Sequence, residues 1–283
     1  MNPKLTIGMA TYDDFHGVYF SIQSLRMHHP EIMDQVEFIV VDNNPESNHG
    51  QEVKKFVENQ VQNGRYIPFT EWKSTGVRDK VFKEAQGEYV ICMDCHVIFP
   101  SGAIDSLLKY YEDNPDCKNI VQGPMLYDNI KSYATHFKPI WNQHMYGVWD
   151  TDARSCQKGE PFEIPMMGLG VFSCETKNWL GFNKLFRGFG GEEGYIHEKF
   201  RRAGGKAICL PDFKWLHRFG RPDGVNYRLV LEDRIWNYFV GWLELTKDPE
   251  DPMIHDIYNH FKSSIPEGSI DNIFAQAKKT ILQ

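Results

Sequence analysis

The sequence predicts an α/β fold built on a mostly parallel sheet, and three observations carry that prediction. Over about the first 130 residues, short apolar runs alternate with stretches whose apolar residues fall at helical spacing. Strands interleaved with helices favour parallel pairing through right-handed crossovers. A composition that is 41% apolar, with 14% aromatic residues, is rich enough for a 283-residue chain to bury a sizeable core.

In chain order, Leu5 to Met9 reads as the first strand, followed by a helix marked by Val18, Ile22 and Leu25. Val36 to Val41 is the second strand, and Val53, Phe56, Val57 and Val61 mark the next helix. Strands at Arg65 to Pro68 and Tyr89 to Met93 follow, then a helix with Ile104, Leu107, Leu108 and Tyr111 on one face, then a strand at Asn119 to Gln122. From Tyr127 to Glu163 the period dissolves into an aromatic stretch containing Trp141, Tyr146 and Trp149, too apolar for a linker. The pattern recovers as a strand at Val171 to Cys174, a glycine cluster from Gly188 to Gly194, a helix from Tyr195 to Ala203 and a strand from Lys206 to Leu210. After His217 comes a turn-rich segment, then helices. In the last of them Ile270, Ile273, Phe274, Ala277 and Ile281 form one apolar face suited to docking on the body.

A formal charge of -7 gives no general attraction to nucleic acid or to an anionic membrane. Six cysteines are too sparse for a disulfide scaffold, no apolar stretch approaches the roughly 20 residues of a membrane span, and the N-terminus shows no signal-peptide pattern. A reduced, cytoplasmic protein is the expectation.

The most informative residues are Asp94 and His96, which follow the apolar run Tyr89 to Met93. Open α/β sheets bind ligands at the carboxyl ends of their strands. An Asp and a His two residues apart on such a turn reach one divalent cation together, and that cation can carry a substrate's diphosphate. His217 follows another strand and is the candidate third ligand. Two histidines and a carboxylate also describe the facial triad of non-haem iron enzymes. Those enzymes present it on a β jelly roll, which the strand and helix alternation does not match.

Cys92 and Cys95 lack a second pair, and strand alternation turns Cys92 inward, so they read as core packing. His255 and His260 lack a His-Glu-x-x-His arrangement and read as surface residues. The segment Gly188-Phe-Gly-Gly-Glu-Glu-Gly194 places two carboxylates on a flexible turn before a helix. One suits a substrate hydroxyl, and the other suits a general base.

Taken together, strand-Thr11-Tyr12, Val40-Val-Asp42-Asn, Gly76-Val-Arg78, Ala85-x-Gly87 and Asp94-x-His96 resemble the nucleotide-binding half of GT-A glycosyltransferases of the family 2 type. Pro165-Met-Met-Gly-Leu-Gly-Val-Phe-Ser173 and Gly190-Gly-Glu-Glu193 are similar to motifs of the polypeptide N-acetylgalactosaminyltransferases and their inverting galactosyl- and N-acetylgalactosaminyltransferase relatives. The resemblance covers about residues 4 to 220. It departs from the pattern at Phe189, where the family has Trp, and at Leu169, where a glycine falls out of register.

This resemblance implies a GT-A domain over residues 1–224, with a nucleotide-binding half at 1–100 and a donor-sugar and acceptor half at 101–224, followed by a helical extension at 225–283. It implies that Asp94, His96 and His217 hold Mn²⁺ or Mg²⁺ against the diphosphate of a UDP-sugar. Thr11, Tyr12 and Asp42 line the nucleoside pocket, and Arg78 approaches the donor near the metal. Gly170, Gly191, Glu192, Arg218 and Arg221 serve the donor sugar and diphosphate. Glu193 stands where inverting relatives carry a base and retaining ones an amide, so an inverting reaction is expected, with retention as the alternative. The acceptor stays open: a glycan, a peptide, a small hydroxyl compound or a modified DNA base all present a nucleophilic oxygen. A non-catalytic nucleotide-sugar-binding protein on the same fold is the competing reading.

Overall fold

The computed structural model describes residues 3–156, 160–220, 224–225 and 227–283. The chain runs β1 (Leu5–Thr11), α1 (Phe15–His28), β2 (Val36–Asp42), α2 (Asn48–Gln60), β3 (Gly64–Pro68), α3 (Arg78–Glu84), β4 (Tyr89–Asp94), β5 (Val97–Ile98), α4 (Ala103–Asp113), β6 (Ile120–Gln122) and β7 (Met125–Leu126). It continues through β8 (Tyr133–Ala134), β9 (His136–Asn142), β10 (Met145–Asp150), β11 (Phe162–Glu163), β12 (Val171–Glu175), α5 (Glu192–Arg202), β13 (Ala207–Cys209), β14 (Trp215–His217), α6 (Leu231–Thr246), α7 (Pro252–Phe261) and α8 (Ser269–Leu282).

Among the described residues the main sheet has eight strands in the order β11-β13-β6-β12-β4-β1-β2-β3. Strands β4, β1, β2 and β3 are mutually parallel, and β4, β1 and β2 are buried along nearly their whole length, as central strands of a parallel sheet are. Strand β12 enters antiparallel to β4 and to β6, so the sheet is mixed at that point. A smaller sheet, β5-β14-β7-β8, lies after the carboxyl end of β4. Its antiparallel pairing of β14 with β5 sets His217 opposite Val97, beside the loop that bears His96.

Sequence and structure differ in three places. The stretch from Tyr127 to Glu163 is not irregular: it holds the β9–β10 hairpin, whose residues alternate poorly because a register shift interrupts the pairing between Tyr146 and Val148. Helix α3 was not foreseen, being only two turns long. Helix α5 starts at Glu192, not Tyr195, so both glutamates sit in its first turn instead of on the turn before it. Acidic side chains are favoured there by the partial positive charge of the helix N-terminus.

The C-terminal helices pack onto the body. Ile270 and Ala277 of α8 are buried, and the rings of Phe274 and Phe239 lie 5.0 Å apart. Within the aromatic stretch, Trp141 donates to Asp256 of α7 (2.6 Å) and stacks on His260 at 4.3 Å. Trp149 meets Phe137 edge-on at 4.2 Å. These rings tie the hairpin down by packing. His255 is exposed and pairs with Glu250 (3.2 Å). No helix among the described residues is long and apolar enough to cross a membrane.

Candidate active site

Parallel register brings the first candidates to one edge. Thr11 lies opposite Asp42, and Ala10 lies opposite Asp94, so Thr11, Asp42 and Asp94 crowd the carboxyl ends of β1, β2 and β4. Asp42 is fully buried and accepts from Tyr66 Oη (2.8 Å) and from the Asn44 amide (2.9 Å). Burial raises its pKa, and those two donors counter the effect. Tyr12 meets Tyr227 edge-on at 6.3 Å, and Tyr227 in turn lies 5.6 Å from Phe189. An aromatic trio therefore spans from the nucleotide edge to the glycine cluster.

The three candidate metal ligands converge. Asp94, His96 and His217 each offer a ligand atom, all within 4.8 Å of one another. Asp94 Oδ2 is 3.5 Å from His217 Nε2 and 3.9 Å from His96 Nε2, and the two imidazoles stand nearly perpendicular at 4.9 Å. An ion with ligands at about 2.1 Å sets its donor atoms roughly 3–4 Å apart, which these separations match. Burial alone would raise the Asp94 carboxyl, but the Arg78 guanidinium and then the two histidines outweigh it and hold the carboxyl well below the usual range. The donor set therefore has its carboxylate ready in the charged form.

Close packing makes this convergence possible. A Cβ on Gly170 would lie 2.8 Å from the Trp215 ring and 3.4 Å from His217 Cδ2. The Gly170 carbonyl also accepts from the Asp94 amide at 2.8 Å. Glycine at this point lets the backbone run directly beneath the His217 ring.

Arg78 links this cluster to the acidic pair. It is 8% exposed and donates to Asp94 Oδ1 (2.9 Å), while Nη1 lies 3.5 Å from Glu192 Oε1. Glu192 and Glu193 are 1% and 6% exposed. Burial raises both pKa values, and the charge of Glu192 raises Glu193 further, while Arg78 and Arg234 pull the other way. Two carboxyls in such surroundings titrate as a unit and favour a singly protonated pair near neutrality. Gly190 and Gly191 turn into α5 with φ of 97° and 92°, a left-handed conformation that only glycine adopts without strain.

Four residues supporting the site escaped the sequence reading. Asn237 of α6 is fully buried and clamps the glycine turn: its Nδ2 donates to the carbonyls of Arg187 (2.7 Å) and Gly190 (2.8 Å), and its Oδ1 accepts from the Arg187 amide (2.7 Å). Arg234, one turn earlier, donates to the Phe189 carbonyl (3.4 Å). His197 joins the Glu193 carbonyl (2.6 Å) to Gln122 (2.6 Å), and burial lowers its pKa to about 4. Asp14 lies 3.2 Å from His96 Nδ1. The only sequence signal for any of them was Asp14 ahead of an apolar helical face, where it reads as a cap.

The Arg218 amide donates to the His96 carbonyl (3.2 Å), and its guanidinium to the Gly220 carbonyl (3.2 Å). Arg221 lies outside the described residues. Cys92 is fully buried, and burial pushes its thiol up to about 12, in keeping with a core residue. Among the described residues, Thr11 Oγ1, Thr75 Oγ1, Glu192 Oε2 and His217 Nδ1 are buried without a hydrogen-bond partner. Buried polar atoms are rarely left so.

Residues 6–173, more than half of the chain, match the family model for glycosyl transferase family 2. No curated protein matches the sequence. Among solved structures, GalNAc-T7 in complex with UDP, GalNAc and Mn²⁺ superposes with a TM-score of 0.70 at 14% identity, covering 98% of this chain and 54% of that one. The chain thus spans about half the length of that neighbour. TarS 1-349 of S. aureus with UDP-GlcNAc gives 0.60 at 14% identity, covering 97% and 79%. The mannosyltransferase PcManGT of Pyrobaculum calidifontis with GDP-Man and Mn²⁺ gives 0.59 at 13% identity, covering 100% and 81%. These neighbours share a GT-A fold with the chain, and together with the family match they make the conclusion direct: the chain belongs to glycosyl transferase family 2.

Proposed function

We propose that the chain transfers a sugar from a UDP-sugar to a hydroxyl acceptor with inversion, using a divalent cation at Asp94, His96 and His217 and Glu193 as general base. The observation that carries this reading is the convergence of those three ligand atoms within 4.8 Å, one arginine away from a buried pair of carboxyls. Two imidazoles and one carboxylate suit Mn²⁺ better than Mg²⁺, which prefers an all-oxygen shell. When bound, such a cation neutralises the charge of the departing diphosphate. GalNAc-T7 with UDP and Mn²⁺, and TarS with UDP-GlcNAc, favour a uridine donor, while PcManGT with GDP-Man keeps guanosine as the comparison to test.

In this scheme Thr11, Tyr12 and Asp42 hold the nucleoside. Glu192, whose Oε2 lacks a partner, accepts a hydroxyl of the donor sugar. The acceptor oxygen bonds to the anomeric carbon as the bond from that carbon to the diphosphate breaks, and Glu193 takes the acceptor's proton. A base whose pKa is raised toward neutrality is matched to that task. Residues 1–224 form the transferase domain in this reading, and the helices of 225–283 brace the glycine turn through Arg234 and Asn237.

The test is UDP and GDP release from a panel of sugar donors, with Mn²⁺ and with chelator, for the wild type and Asp94→Ala. The expected result is Mn²⁺-dependent UDP release that falls on the order of 100-fold or more in the variant. Turnover that survives chelation or persists in Asp94→Ala refutes the metal assignment, and an anomeric configuration retained in the product refutes inversion.

A further inference from the structure

The two histidines of the metal cluster are held in different ways. His217 Nδ1 is buried and has no hydrogen-bond partner among the described residues, so its ring is fixed by packing: Phe219 lies 4.2 Å away, Trp215 6.1 Å, and Gly170 lies beneath. His96 instead has its Nδ1 3.2 Å from Asp14 Oδ2, while its Nε2 faces Asp94. Asp14 is itself anchored, because its Oδ1 accepts from the Gly17 amide at 2.9 Å and caps α1. One carboxylate oxygen therefore holds the helix and the other faces the imidazole.

We propose that Asp14 is the positioning residue of the metal site: by accepting from Nδ1–H of His96 it fixes the tautomer whose Nε2 lone pair faces the cation. A carboxylate behind a ligating imidazole sets both ring orientation and tautomer, and its loss typically costs 10- to 100-fold in metal affinity. The inference rests on the metal reading above. Cys95 competes for the same oxygen, its Sγ lying 3.6 Å from Asp14 Oδ2 and 3.7 Å from His96 Nδ1. Asp14, Cys95 and His96 form a second convergent trio, so a cation held by those three is the rival arrangement.

Asp14→Asn separates these possibilities with little change in shape. Asparagine still caps α1 through its oxygen. That orientation turns its Nδ2–H₂ toward His96 Nδ1, which can then only accept, so the proton moves to Nε2 and the ligating lone pair is lost. Two measurements are needed: the His96 tautomer by ¹⁵N NMR of the metal-free protein at about pH 8.5, where an ordinary histidine is neutral, and Mn²⁺ affinity by calorimetric titration. The expected result is an Nδ1–H tautomer in the wild type, an Nε2–H tautomer in Asp14→Asn, and Mn²⁺ binding weakened about 10- to 100-fold, with Cys95→Ser within about twofold of the wild type. An unchanged tautomer in Asp14→Asn overturns the proposal whatever the metal does, and so does a loss in Cys95→Ser as large as that in Asp14→Asn. A wild type that shows the expected tautomers but binds no Mn²⁺ upholds the positioning of His96 and refutes the metal reading instead.

Discussion

Glu193→Gln should make the protein more stable and far less active at the same time. The ordinary value for a glutamate here is 4.5, and burial together with Glu192 pushes Glu193 up to about 8. A group whose folded pKa is raised contributes its full stability below the unfolded value and loses it as pH rises through the folded one. Between those limits the wild type is penalised for either ionising a buried carboxyl or retaining a proton that the unfolded chain has released. Each unit is worth about 1.36 kcal/mol, so at about pH 7.5, some three units above the unfolded value, the ceiling is about 4 kcal/mol. Glu192 shares the same proton, which halves the sum to about 2 kcal/mol. Glutamine mimics the protonated acid and escapes the penalty. At about 2 °C per kcal/mol for a chain of this size, the variant should melt about 4 °C higher near pH 7.5. The gain should shrink toward zero at about pH 5 and level off above about pH 8. Thermal unfolding of both proteins across that range, in chelator, measures it, while sugar transfer should fall about 10²- to 10⁴-fold. A pH-independent difference, or a variant that melts lower at neutral pH, would refute the argument that Glu193 is held against its own charge.

Three further perturbations probe the neighbouring structure. Arg78→Met should cost about 3–5 kcal/mol, because Asp94 and Glu192 lose their buried counter-charge together; unfolding by urea reads this, and a cost below about 1 kcal/mol would show that the pairing is dispensable. Asn237→Ala should cost about 2–4 kcal/mol, since an amide and two carbonyls of the glycine turn lose their partner, and turnover should drop while binding of the nucleotide alone is kept; equal loss of both would place Asn237 in general folding. Gly170→Ala should push the Trp215 ring aside and, through the strand it shares with His217, weaken Mn²⁺ binding about tenfold or more without weakening nucleotide binding in chelator. Unchanged metal affinity would show that the Trp215 ring absorbs the extra methyl.

The central parallel strands were legible as short, mostly apolar runs: Val36–Asp42 carries no exposed residue, with Glu37 the one charge ahead of its terminal Asp42. The β9–β10 hairpin was not, because Pro139 and Ile140 are exposed while Phe137 is buried, and the register shift at Tyr146 breaks any period. At the site, Asp94 and His96 were readable from their place after an apolar run, and His217 from following another. Their convergence is a product of β14 pairing with β5, which no local pattern encodes. Asn237, Arg234 and His197 were invisible for the same reason: Asn237 and Arg234 act on backbone 45 to 50 residues away and His197 reaches Gln122, and a polar residue in a helix carries no mark of what it touches. Arg78 was expected near the donor, and the structure adds its place between the carboxylates of Asp94 and Glu192, which three separate elements bring together.

The clamp by Asn237 has a consequence for how the enzyme comes into being. The parallel strands β4, β1, β2 and β3, whose carboxyl ends bear Thr11, Asp42 and Asp94, are complete by Asp94, and such a unit can begin to order as the chain leaves the ribosome. The turn bearing the two glutamates has no partner for the Arg187 amide or for the carbonyls of Arg187 and Gly190 until α6 has also emerged. On the proposed function, a nascent chain would therefore pass through a stage in which the nucleotide residues are placed and the two glutamates are not, and competence would arrive only once α6 has emerged.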